Sequence, residues 1–265
     1  MKQVRLALSG SGFLAPIHAG AVCALYDLGY TIVELAGTSG GSIVAAYAAM
    51  GATADRLRAL SSAPLPSGIA SVQVAAMLFN EALNTGDILT RWLDGIFLDA
   101  TLGQTRIPLH VVATDINAGH SFTFNETNSP DVRLADACRA SASIPFFYEP
   151  AHVKGVKYLD GGMCCNLPVD KLVVDAIPRL GIEVVDSSAP GSTDGATDFI
   201  KACISTMLSA NEGNLAAWGA QTGATILPVS AAPYSFLDAG LSLPAKGELF
   251  ARGYYAVKQW ATGHA

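Results

Sequence analysis

Gly37-Thr38-Ser39-Gly40-Gly41 fits the pattern G-x-S-x-G, in which Gly37 and Gly41 let the backbone reverse tightly and leave a serine hydroxyl exposed at the start of a helix. A serine so held is a candidate nucleophile for acyl transfer, provided that a base takes its proton. The histidines are His18, His110, His120, His152 and His264, and only His264 follows a turn at Asp160 in the chain order serine, acid, histidine. It stands one residue from the end of the sequence, where chains fray. An aspartate can serve instead if its site is dry enough to raise its affinity for the serine proton. Asp160 is the better candidate, because Gly161-Gly162 let the chain bring the carboxylate against another backbone. Asp115 also ends an apolar run but lacks the glycine pair, and Asp160 taken alone reads equally as a carboxylate capping a turn.

An acyl-transfer intermediate needs donors for its oxyanion. The turn Ser9-Gly10-Ser11-Gly12 offers the backbone N–H groups of Gly10, Ser11 and Gly12 at the mouth of a helix. The same turn, read as Gly10-x-Gly12-x-x-Ala15, also fits a dinucleotide-binding fingerprint. Its acidic partner would be Glu34, which falls inside the second strand instead of at its carboxyl end. A dinucleotide-dependent oxidoreductase is therefore the alternative of another class.

The elements that must position these residues follow from hydrophobic pattern and turn signals. Val4–Leu8 predicts a buried strand, and Pro16 opens a helix that stops at Gly29. Ile32–Ala36 predicts a second strand, Gly37–Gly41 a turn, and Ile43–Met50 a second helix. Residues 52–100 show no clear strand. A strand is expected over Ile107–Thr114, a polar stretch over Asp115–Asn128, a helix near Val132–Ala142, and a turn at Asp160-Gly161-Gly162. A strand at Gly181–Val185, a helix at Asp198–Ser209, a strand at Ala224–Val229 and a helix at Lys246–Trp260 complete the pattern. Strands alternating with helices imply a mainly parallel sheet with helices on both faces, and 265 residues suit one domain over 1–265.

Composition narrows the function. With 16 Lys+Arg against 22 Asp+Glu, a net charge of −6 and no basic run, affinity for nucleic-acid phosphates is excluded. A chain 51% hydrophobic and 14% charged is not disordered. Its uncharged stretches at 6–26, 35–54, 59–80 and 213–237 each contain Gly, Pro or clustered Ser, Thr and Asn, so none predicts a membrane-spanning helix. The first residues run straight into a strand without a signal-peptide pattern, and cytoplasmic residence is expected. Five cysteines without CxxC or zinc spacing predict buried or inert thiols, with neither disulfide nor structural metal.

With these motifs in order, the sequence resembles the patatin-like phospholipase family of serine lipid acyl hydrolases. Carrying the resemblance are Leu6–Leu25, Gly37–Gly41, Val112-Ala113-Thr114-Asp115, and Ala140-Ser141-Ala142-Ser143-Ile144-Pro145. Tyr158–Gly162 with Asn166-Leu167-Pro168-Val169, and a helix at Glu248–Trp260, complete it. It implies a three-layer α/β/α sandwich with a Ser-Asp dyad, Ser39 as nucleophile and Asp160 as its activator, acting on lipid esters through transient contact with a membrane surface. No cofactor or metal is implied. The oxyanion motif falls on Gly10–Ala15, where Ser11 replaces a frequent glycine, Leu14 the usual Arg or Lys, and Ala15 the final glycine. A lipid-binding module of the same fold without turnover is the second alternative. Within 52–100, Met77, Leu78, Phe79, Trp92, Ile96 and Phe97 form either an apolar mouth for an acyl chain or an amphipathic face packed on the sheet.

Overall fold

A computed structural model describes residues 2–70, 82, 84–185, 202–203, 206, 219 and 221–263. Strand β1 (Lys2–Leu8), helix α1 (Pro16–Asp27), strand β2 (Tyr30–Thr38) and helix α2 (Gly40–Ala49) come first, then α3 (Ala54–Ser62) and α4 (Asp87–Phe97). They are followed by β3 (Leu109–Asp115), β4 (His120–Phe124), α5 (Leu134–Ser141), β5 (Ala151–Val153) and β6 (Val156–Asp160). Strands β7 (Arg179–Val185) and β8 (Thr225–Ser230) and helix α6 (Leu243–Thr262) end the series. Most of the expected helix Asp198–Ser209, and Met77, Leu78, Phe79 and His264, lie outside the described residues.

The sheet is mixed and flanked by helices, an α/β fold. Strands β3, β2, β1, β7 and β8 lie side by side in parallel, while β4, β5 and β6 join antiparallel at the β3 end. Parallel strands are buried on both faces, which explains the nearly unbroken apolar sequences. Leu6 and Leu8 of β1 enter the larger core with α1, α2 and α6, whereas Ala7 between them faces a smaller cluster with Leu167, Val169 and Leu172. Among the described residues no helix is long and apolar enough to cross a membrane.

Strand β3 fixes the geometry that matters. One of its edges is taken by β4 from Val111 to Asp115. The other edge is divided: β2 pairs with Leu109–Val112 and β6 with Ala113–Asp115. Since β2 runs parallel to β3 and β6 antiparallel, the two strands approach each other head-on. Thr38 ends β2 opposite Val112, and Asp160 ends β6 opposite Ala113.

Several boundaries differ from the sequence expectation. Strand β2 runs on through Gly37 and Thr38 because both pair with β3, leaving Ser39 alone between strand and helix. The polar stretch after Asp115 contains β4, whose Phe122 and Phe124 pack on each other and on Tyr158 of β6 at 4.8–5.6 Å between ring centres. Strands β5 and β6 form a hairpin about Lys154 and Gly155, both with positive φ as such a tight turn requires.

Helix α6 lies on α1 at close range, and glycine is what permits it. A methyl group on Gly253 would press into the Ile17 carbonyl, while one on Gly247 would meet nothing within 4 Å. Gly253→Ala is therefore expected to destabilise by about 1–3 kcal/mol through overpacking. Gly247→Ala, within the same helix, should be neutral or stabilising by up to about 1 kcal/mol. Paired urea or thermal unfolding curves check both.

Candidate active site

Ser39 is a sharp elbow with φ 51° and ψ −126°, a conformation that costs a non-glycine residue about 1–3 kcal/mol and persists only where neighbours enforce it. Its amide donates to the Ser141 hydroxyl at 2.8 Å, and that hydroxyl donates in turn to the Val112 carbonyl at 2.5 Å. The Ser39 carbonyl accepts from the Ser42 amide at 2.9 Å and from the Ser42 hydroxyl at 2.6 Å. Gly37 passes against the first turn of α2, and Gly41 against the carbonyls of Leu8 and Ser9.

Asp160 is fully buried. Its amide donates to the Ser143 carbonyl at 2.9 Å, and its carbonyl accepts from the Thr114 hydroxyl at 2.8 Å. The Gly162 amide donates to Oδ1 at 2.8 Å, whereas Oδ2 is buried without a hydrogen-bond partner. Burial raises the carboxyl pKa to about 6, and the Ser39 hydroxyl and Gly162 amide pull in the opposite direction. Ser39 therefore lies within electrostatic reach of the carboxylate, while the contact is looser than a formed hydrogen bond. Gly161 follows directly and has no room for a side chain, since a Cβ would run into the Val112 carbonyl and lie 3.0 Å from Thr38. The structure thus brings together the two residues that the sequence singled out.

The glycine turn adjoins this pair, and a Cβ on Gly10 would stand 3.6 Å from that of Ser39. Its three expected oxyanion donors are not equivalent. The Gly10 amide is already committed to the Asn166 carbonyl at 2.9 Å, whereas those of Ser11 and Gly12 have no acceptor among the described residues. Sequence reading did not single out a further amide beside them, that of Gly40. As the first residue of α2 it has no intrahelical acceptor, and it packs against Gly12. The helix dipole adds positive potential at the same point. Ser141 and Ser143 were also unassigned, although the stretch Ala140–Pro145 carried part of the family resemblance.

The four described histidines, His18, His110, His120 and His152, make no hydrogen bond to Ser39 or Asp160. Buried His18 donates Nε2–H to the Ser9 carbonyl at 2.8 Å, and burial lowers its pKa to about 4, so it is neutral and serves to hold the turn. His110 instead meets Glu34, 2.9 Å away. Glu34 also accepts from Arg5 at 2.6 Å and from the Val173 amide at 3.0 Å. It lies four residues, about 13 Å of strand, short of the end of β2. The acidic partner of a dinucleotide fingerprint is thereby spent on an ion-pair network away from the glycine turn. Asp115, the lesser candidate base, turns its carboxylate to the amides of Asn117 and Ala118.

A cleft of about 820 Å³, partly open to solvent, reaches Ser39 and Gly40 and is otherwise lined mainly by apolar side chains. Of the candidate mouth residues, Trp92 of α4 lines it, Ile96 packs at the edge of the core and Phe97 is buried within the core. The helix therefore serves both cleft and core.

A family model described as patatin-like phospholipase matches residues 6–173. The YqhO protein of Bacillus subtilis is 28% identical over 193 residues, 61% of this chain and 64% of that protein. Human omega-hydroxyceramide transacylase is 31% identical over 165 residues, which are 59% of this chain and 30% of the human one. An NTE family protein of Mycobacterium tuberculosis is 30% identical over 198 residues, 72% of this chain and 52% of that one. The chain thus spans less than two thirds of the length of each. VipD from Legionella pneumophila has the same fold, with a TM-score of 0.63 at 14% identity, covering 99% of this chain and 67% of VipD. ExoU of Pseudomonas aeruginosa, in its heterodimeric complex with SpcU, gives 0.51 at 16% identity over 99% of this chain and 51% of that one. The match runs from the glycine turn through the serine elbow to the Asp160 turn, and the chain belongs to the patatin-like phospholipase family.

Proposed function

We propose that this protein is a serine acyl hydrolase that cleaves ester bonds of phospholipids or related lipids. One observation carries the reading: a buried carboxylate with one unpartnered oxygen stands beside a strained serine at the base of an apolar cleft. Ser39 Oγ attacks the ester carbonyl while Asp160 Oδ2 takes its proton. The amides of Ser11, Gly12 and Gly40 hold the oxyanion, each such donor being worth roughly 3 kcal/mol of barrier. As the carbonyl reforms, Asp160 passes the proton to the departing alcohol and Ser39 remains acylated. Asp160 then takes a proton from water, the hydroxide equivalent attacks the acyl-enzyme, and the proton returns to Ser39 as the fatty acid leaves.

The apolar cleft suits an acyl chain, and such a substrate calls for transient contact with a membrane surface from the cytoplasmic side. An alcohol entering in place of water would make the same enzyme a transacylase, the activity named in its human relative. Product analysis with and without an added alcohol acceptor separates the two fates.

Ser39→Ala and Asp160→Asn should each lower ester hydrolysis about a thousandfold or more, and a fluorophosphonate probe should label the native protein at residue 39 only. Lipid binding with undiminished turnover in the Ser39 variant would overturn the mechanism. Binding without turnover in the native protein would favour the silent module. Ser141→Ala, which releases the elbow amide, should cost roughly 10- to 100-fold in kcat with little change in KM.

The raised pKa of Asp160 has two consequences of opposite sign. Only the ionised carboxylate accepts a proton, so kcat/KM should climb about tenfold per pH unit below pH 6 and level off above it. Stability should move the other way. Between about pH 4 and 6 the folded state holds a proton at Asp160 that the unfolded state has lost, so this group's contribution declines as pH rises through that window. Asp160→Asn should accordingly be more stable than the native protein at pH 8, by on the order of 1–3 kcal/mol, and the gap should shrink towards pH 4. Denaturant titrations of both proteins at several pH values test this.

A further inference from the structure

Among the described residues that line the cleft, Lys246 alone is charged. It lies in the first turn of α6 and is only 8% exposed. One of its three ammonium protons goes to the Ala63 carbonyl at 2.7 Å, and Lys246 forms no ion pair with any described residue. Its acidic helix neighbour Glu248 is occupied by Arg252 and Tyr234. Anchoring α6 to Ala63 would require only a neutral donor. A partly buried ammonium held by one carbonyl and by no counter-charge among the described residues carries a desolvation cost that an anionic ligand would offset.

The placement gives that charge a use. Helices α1 and α6 run side by side in the same sense, with Gly20 and Gly253 at their crossing, and Tyr254 bonded to Asp27. Farther along, Trp260 packs on Tyr30 beyond the end of α1. The first turn of α6 therefore returns to the opening of α1, where Ala15, Pro16 and Ala19 line the same cleft as Ser39. The N-termini of α1, α2 and α6 and the Lys246 ammonium add positive potential to a cleft whose described lining holds no acid.

We propose that Lys246 binds the anionic phosphate of the lipid whose ester Ser39 attacks, making this lysine the residue that selects phosphate-bearing over uncharged lipid esters. The inference rests on the acyl-hydrolase reading above, but binding tests it without turnover. Ser39→Ala protein would be titrated calorimetrically with octyl phosphate, octyl glucoside and octanoate, each below its micellar concentration. Octyl phosphate is expected to bind at least about tenfold tighter than octyl glucoside, as a charge-assisted pair allows. That difference should vanish in Ser39→Ala proteins that also carry Lys246→Gln or Lys246→Met, the Gln variant keeping a neutral donor for Ala63.

Equal affinity for octyl phosphate and octyl glucoside in the Ser39→Ala protein would overturn the proposal even if neither lysine variant folded. So would a phosphate preference that survives in either folded variant, or a preference for octanoate over octyl phosphate, which would give the cation to the released fatty acid. Phosphate-selective binding lost with Lys246, in a protein whose native form hydrolyses no ester, would leave the anion site standing and remove the hydrolase reading instead.

Discussion

The structure depends on two strands meeting end to end along one edge of a third. Residues on neighbouring strands are brought together by ladder hydrogen bonds, and here β2 and β6 share the edge of β3 at consecutive positions, Val112 and Ala113. Thr38 and Asp160 are thereby backbone neighbours although 122 positions separate them in the sequence. Ser39 and the Asp160 carboxylate inherit that closeness. Everything nearby either permits the approach or braces it. Gly161 leaves room for the Val112 carbonyl, the Ser141 hydroxyl bridges the Ser39 amide to that carbonyl, and the Ser143 carbonyl receives the Asp160 amide.

Helix α5 is consequently a brace for the approach of Ser39 to Asp160. Ser141 at its C-terminus and Ser143 just beyond it bind the backbones of Ser39 and Asp160, and the buried Arg139 guanidinium donates to the Ser143 hydroxyl at 2.5 Å and to the Glu149 carbonyl at 2.9 Å. Arg139 also stands over the Tyr148 ring at 5.4 Å, and the Tyr148 hydroxyl donates to the Ile69 carbonyl. Contacts therefore run from Tyr148 on the cleft wall through Arg139 and Ser143 to the Asp160 backbone, while Ser141 separately ties the Ser39 amide to Val112. Such a network resists the relaxation that would otherwise release the strain at Ser39.

Features set by local sterics were legible in the sequence. Gly37–Gly41 announces a strained elbow because only glycine tolerates the close backbone passages around Ser39, and Asp160-Gly161-Gly162 announces a tight approach for the same reason. The strands β1, β2, β3, β7 and β8 follow from unbroken apolar runs between turn residues. Long-range pairing was not legible. Nothing near His120 says that Phe122 and Phe124 will cover Tyr158, and nothing near Gly10 says that Asn166 will claim its amide. The Gly40 amide emerged only from the structure, in which strand and helix leave one residue between them. Lys246 lay within a helix legible from its periodicity, but only the packing of α6 on α1 turns that side chain into the cleft.

A carboxylate acting without an imidazole must satisfy two demands that pull apart. It has to be ionised at neutral pH to begin the reaction, and it has to hold a proton firmly enough to return it to the leaving group. In water an aspartate meets only the first. Complete burial meets the second by disfavouring the charge, while the Gly162 amide on Oδ1 keeps the shift moderate, near 6. Leaving Oδ2 without a partner divides the two oxygens, one fixed by the Gly162 amide and the other free to receive the proton in the proposed mechanism.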